Sequence, residues 1–257
     1  MGGICRLVSA AAGTLVVLLM PHSTCLAQPA TRPGMSTVAV GPRRAPSFRK
    51  AFVIDDRLSA LRRGPGLQSQ VVRRLRLGHA VFIVASSKPK AGQPRFWRIA
   101  VTRRTRGWIH ESALAVQGRA GEDHRLINLI EGASDGVDRI TLCRLLAERF
   151  VDSRLVPRAM LLLAEEAERV AETLSQRARR RLAGVSEADL RDYYLSDSGL
   201  DRYSKLGVVF DFNESTGEFV YDGGAYRELV KRFPRGEEAA LARQRLEFTR
   251  RKMEPQP

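Results

Sequence analysis

The chain has 257 residues, 44% of them hydrophobic, and a formal charge of +15. That apolar content supplies cores for one or two domains and excludes a chain that is disordered throughout. Only six of the 43 basic residues are lysine, so the arginine excess has a compositional as well as a functional reading; the charge favours anionic partners such as phospholipid head groups or wall polymers, with nucleic acid the least expected.

Residues 1–27 read as a secretory signal peptide. Arg6 gives a positive start, and Leu7 to Met20 is an apolar run shorter than the about 20 residues a bilayer span needs. Pro21 ends the run, and Cys25-Leu26-Ala27 sets small residues for cleavage before Gln28. A lipoprotein reading of Cys25 is less favoured, because His22-Ser23-Thr24 does not supply the Leu-small-small pattern before the cysteine. The expectation is an exported, periplasmic or extracellular protein with no transmembrane span in its mature chain. Cys143 is then the one mature cysteine, which rules out an internal disulfide; at helical spacing with Leu142, Leu145 and Leu146 it reads as a core thiol. Residues 28–48, rich in Pro, Gly, Ser and Thr, read as a flexible linker.

Residues 49–117 read as a small β-barrel. Strands are expected near Phe52–Ile54, Ser59–Leu61, Val71–Leu75, Ala80–Val84, Trp97–Val101 and Gly107–His110. Turns are expected at Arg63-Gly64-Pro65-Gly66, where Gly relieves the penalty on positive φ, at Leu77-Gly78 and at Arg104–Arg106. Trp97 and Trp108 are either core and cap residues of the barrel, the favoured reading, or an aromatic stacking surface. Arg95, Arg98, Arg103, Arg104 and Arg106 fringe them, and this is the face expected to meet an anion.

Leu61-Arg62 with Gly64-Pro65, then Val71, Leu75, Leu77-Gly78, Val81-Phe82-Ile83-Val84, Trp97 with Ile99, Gly107-Trp108-Ile109 and Leu114 resemble the bacterial SH3-like domain. The family's usual string is N-V-R, S-G-P, a K-G turn, a W-x-K-V strand and a G-W-V hairpin. Ala60 stands where that string has Asn, and the loop from Val84 to Trp97 is longer than the minimum. The resemblance covers about a quarter of the chain and implies a binding or targeting module on exported proteins, associated with peptides or cell-wall polymers, and not catalysis.

From His124 the period becomes helical. Leu126, Ile127, Leu129 and Ile130 mark one helix; a second follows Asp138 with Ile140, Leu142, Leu145, Leu146 and Phe150 on one face; a third runs from Val156 to Leu182 with Pro157 in its first turn. Leu146 to Phe150 is echoed by Leu229 to Phe233, and each Phe is followed nine residues on by an alanine, Ala159 or Ala242. The segment AYRELVKRFPRGEEAALARQRLEF is similar to the helical hairpins of the tetratricopeptide family. The offset of 83 residues between copies is too long for one repeat, so a regular array is not expected. Between the copies, residues 207–221 read as a β-hairpin. Tyr193, Tyr194, Tyr203, Tyr221 and Tyr226, all the tyrosines of the chain, either present an aromatic contact surface or lie at the seam of that hairpin with the helices, the favoured reading.

No catalytic constellation is legible. His79, His110 and His124 are not spaced like metal ligands or like the base of Cys143, and no phosphate-binding loop occurs. The expected fold is therefore multi-domain, all-β plus mainly α: an SH3-like barrel over 49–117, then a tetratricopeptide-like helical domain over 123–252 with an inserted hairpin. The expected function is non-catalytic binding in the bacterial envelope, without a cofactor, to peptide or cell-wall polymer and to a protein partner. Candidate contacts are Arg95, Trp97, Arg98, Arg104, Arg106, Trp108, Tyr194, Tyr203 and Tyr221. Competing expectations are a cell-wall enzyme or accessory with a dispersed site, and a basic module that adheres to nucleic acid or anionic lipid.

Overall fold

A computed structural model describes residues 49–89, 91–182, 198–213 and 215–253, which belong to one compact unit. The signal expected at 1–27, the linker at 28–48 and Tyr193 and Tyr194 lie outside the described residues.

Seven strands make up the first part: β1 (Arg49–Val53), β2 (Ala60–Arg62), β3 (Val71–Arg74), β4 (Ala80–Ser86), β5 (Phe96–Ala100), β6 (Arg106–His110) and β7 (Leu114–Val116), with a 3₁₀ turn at Glu111–Ala113. All pair antiparallel, in the order β3-β2-β6-β5-β4-β1-β7. The expected closed barrel is corrected: β3 and β7 are the two edges and do not pair with each other, so the sheet is open. It nevertheless curls around one core, since Leu61 and Leu75 from one end and Leu114 and Val116 from the other belong to the same cluster as Val81, Ile99 and Ile109. Gly107 permits this curl: a Cβ there would stand 2.7 Å from Leu61 Cγ and 2.8 Å from the Arg62 carbonyl oxygen. Gly78 takes the positive φ of a turn, at 76°, whereas Gly64 and Gly66, where it was expected, do not.

Helices cover the outer face of β1 and β7. Phe52, Ile54 and Ala115 point away from the sheet's own core and join the helical core instead, with Phe52 edge-on to Phe150 at 6.4 Å. The Gln117 side chain donates to the Arg149 carbonyl at 2.9 Å, and Arg125 donates to the Leu114 carbonyl.

The helical part comprises α1 (Glu122–Gly132), α2 (Gly136–Arg149), α3 (Val156–Leu182), α4 (Ser198–Ser204), a hairpin of β8 (Phe210–Asn213) and β9 (Glu218–Tyr221), α5 (Gly224–Arg232) and α6 (Glu237–Met253). Asp135, not Asp138, caps α2, its carboxylate accepting the amides of Val137 and Asp138 at 2.9 and 3.1 Å. The long helix α3 is the spine, contacting α2, α5, α6 and β9. Its alanines 159, 164 and 167 are fully buried, and small side chains let neighbouring helices approach closely. The sequence echo is structural: Phe150 and Phe233 both end a helix, their amides donating four residues back to Leu146 and Leu229, and Ala159 and Ala242 are both buried in the partner helix. Among the described residues no helix is long and apolar enough to cross a membrane.

Candidate ligand cleft

A cleft of about 450 Å³ opens at one end of the curled sheet. Its wall comes from β4, where the pairing with β5 slips between Ile83 and Ala85, so that Val84 bulges and Ser86 lies opposite Trp97. Trp97 forms part of the lining; only 8% exposed, it belongs to the sheet core as well as to the cleft. Arg49, Arg95, Glu111 and Arg119 complete the lining.

The charges are linked. Glu111 lies 3.7 Å from Arg95 and 2.9 Å from Arg119, whose guanidinium also sits 5.6 Å from the centroid of the Trp97 ring. Arg119 reaches on to Glu122, at 3.5 Å, the buried acidic residue that opens α1. Burial raises the Glu122 carboxyl above its ordinary value against the opposing pull of Arg125 and Arg119. Three guanidinium groups against one carboxylate leave the cleft positive, with planar donors suited to a carboxylate or phosphate and an indole beside them for an apolar moiety.

The structure divides the contact residues expected from sequence. Arg95 and Trp97 lie in the cleft. Arg98, Arg106 and Trp108 lie on the opposite, outward face of the sheet, because they alternate with the inward Ile99, Gly107 and Ile109. Arg104 is exposed in the β5–β6 turn. Trp97 is thus core, as favoured, while Trp108 is only half-buried. Tyr203 is half-buried and edge-on to Phe210 at 5.6 Å. Tyr221 is not a surface contact: it is 3% exposed, its hydroxyl accepts the Ala225 amide at 2.6 Å, and burial pushes its pKa up. Tyr226 is fully buried, so the described tyrosines lie at the seam between hairpin and helices.

Sequence reasoning passed over Arg49, Glu111 and Arg119. Glu111 carried a signal, as the only acidic residue between Asp56 and Glu122 in a strongly basic stretch.

A smaller groove of about 280 Å³ lies between α2, α3 and α5, with Met160 and Leu163 in its lining. Its charges are paired internally, Arg144 with Glu148 at 2.6 Å and Arg232 with Glu228 at 3.3 Å. Cys143 is buried, and burial pushes its thiol up to about 12, which keeps it protonated and unreactive at neutral pH. Among the described residues no cluster of His, Cys, Asp or Glu could hold a metal ion.

No protein-family model matches the chain, and no curated protein and no solved structure is significantly similar to it.

Proposed function

We propose that the protein is a non-catalytic binding protein of the bacterial envelope, exported by its N-terminal signal, whose sheet half acts as an SH3-like module for an anionic peptide or cell-wall polymer. The helical half, with its tetratricopeptide-like hairpins, offers the groove between α2, α3 and α5 to a protein partner. The observation that carries the reading is the cleft, where Arg49, Arg95 and Arg119 line the same space as Trp97 and Glu111 is the one carboxylate of the lining. Peptide carboxylates and polymer phosphates present the geometry that arginine pairs bidentately, and an indole packs on the apolar part of such a ligand.

The test is co-sedimentation of the full chain with purified peptidoglycan. Shape-specific recognition retains the protein at about 0.5 M salt, whereas attraction by charge alone falls away as the screening length drops to a few Å. Release of all the protein by salt contradicts the reading. Soluble wall fragments appearing during incubation contradict the non-catalytic part of it.

A further inference from the structure

The outward face of the sheet presents a second binding surface, distinct from the cleft. One cross-strand row runs from Arg98 on β5 through Trp108 on β6 and Arg62 on β2 to Val71 on β3. The next row sets Phe82 on β4 against Ala100 and Arg106. Phe82 is 45% exposed and Val71 43%, so apolar groups stand in solvent among three arginines. Among the described residues no carboxylate lies within ion-pair distance of Arg62, Arg98 or Arg106, unlike Arg95 and Arg119 in the cleft.

The charge behind this face is not diffuse. Residues 49–117 hold 15 Lys and Arg against three Asp and Glu, while residues 118–257 hold 24 against 25. A compositional drift toward arginine accounts for the 24, since carboxylates balance them; it does not account for a sheet with almost none. Unbalanced arginines around exposed apolar side chains match the interface of an anionic bilayer, where cations meet head groups and apolar side chains enter the acyl boundary. A single-stranded nucleic acid is the less favoured occupant, since it needs exposed aromatic faces for stacking, and Trp108 is half-buried while Val71 is aliphatic.

We propose that the outward face of β2, β3, β4, β5 and β6, through Arg62, Arg98, Arg106, Trp108, Phe82 and Val71, docks on an anionic phospholipid surface. The helical half takes no part in this attraction.

The test is flotation of the full chain with phosphatidylcholine vesicles containing none or about 30% phosphatidylglycerol. Binding is expected to the anionic vesicles only. Arg98→Ser with Arg106→Ser removes two surface charges and is expected to lower the partition coefficient about 30-fold. Arg154→Ser with Arg235→Ser removes the same charge from two exposed turns of the helical half, and changes it less than about twofold if the face is local. Phe82→Ser weakens binding without altering its salt dependence, and circular dichroism verifies that each variant is folded. Equal binding to both vesicles, equal loss in the two double variants, or tight binding of an oligothymidine that Arg98→Ser with Arg106→Ser abolishes while vesicle binding persists overturns the proposal.

Discussion

The two halves of the described structure use the same residue types for different ends. In the helical half about half of the described arginines have a carboxylate close by: Arg139 lies 3.0 Å from Glu166 and donates to the Ile130 and Glu131 carbonyls, fastening α1 and α2 to α3, while Arg227 binds Asp222 at 2.6 Å and Arg245 lies 3.6 Å from Glu168. In the sheet half Arg62, Arg98, Arg103, Arg104 and Arg106 have no such carboxylate among the described residues. Paired charge fixes helices in register, and unpaired charge is left available to something outside the chain. Arginine content alone distinguishes neither case; the distribution of carboxylates does.

The largest expected effect comes from breaking a buried pair on the paired side. Arg139 and Glu166 are 15% and 11% exposed, so Arg139→Met leaves the Glu166 carboxylate with only the outer, half-exposed Arg169 at 2.8 Å and removes the donors to the α1 carbonyls. A loss of about 2–4 kcal/mol in urea unfolding is expected, larger than for any single arginine of the outward face, whose removal costs under about 0.5 kcal/mol.

Next is the curl of the sheet. Gly107→Ala drives a methyl against Leu61 and the Arg62 carbonyl and is expected to cost about 1–3 kcal/mol. Because Phe52, Ile54 and Ala115 sit in the helical core, the loss should appear as one earlier transition seen alike by tryptophan emission, which reports on the sheet, and by far-ultraviolet dichroism, which reports on the helices. Two separated transitions break the view that the halves are one folding unit.

A smaller effect is expected at the junction. The Glu122 carboxyl is raised in the folded protein, so between its ordinary value near 4.5 and the raised value the folded state binds more protons than the unfolded one. Its contribution to stability therefore falls as pH rises through that window. Glu122→Gln removes this fall, and the difference between the two stability profiles against pH isolates it from the opposite slope given by Asp123, whose carboxyl is held low by its hydrogen bond with Ser153. A profile unchanged by the substitution contradicts the assignment.

The smallest perturbation is chemical. Cys143 in folded protein should not react with a thiol reagent at about pH 8 and should react at once in denaturant. Labelling of the folded protein shows instead that the α2–α3 packing opens readily.

Much of this fold is legible in the residues. The alternation of Trp97, Ile99 and Val101 with polar neighbours gives β5, and the apolar period over residues 156–182, with Pro157 in its first turn, gives α3 end to end. The echo of Leu146–Phe150 in Leu229–Phe233 marks two helix ends of matching geometry. The open sheet was less accessible, although Ala51 to Ile54 and Leu114 to Val116 are unbroken apolar runs in otherwise alternating surroundings. Such runs signal strands buried on both faces, here because helices cover one of them. The site was harder still. Arg95 and Arg98 are three residues apart on the same hairpin, so the pleat sends one to the cleft and the other to the opposite face, and a basic fringe read as one surface is divided between two. Arg119, which completes the cleft, follows the last strand and comes to Trp97 only through the curl of the sheet.

The most direct test of the assignment of binding to the sheet half compares two full-chain variants on peptidoglycan at about 0.5 M salt, where long-range charge is screened. Arg49→Ser with Arg95→Ser strips the cleft, and Arg154→Ser with Arg235→Ser removes the same charge from the helical half. The first variant is expected to be released while the second stays with the wall. Equal retention of the two, or release of the second alone, contradicts it.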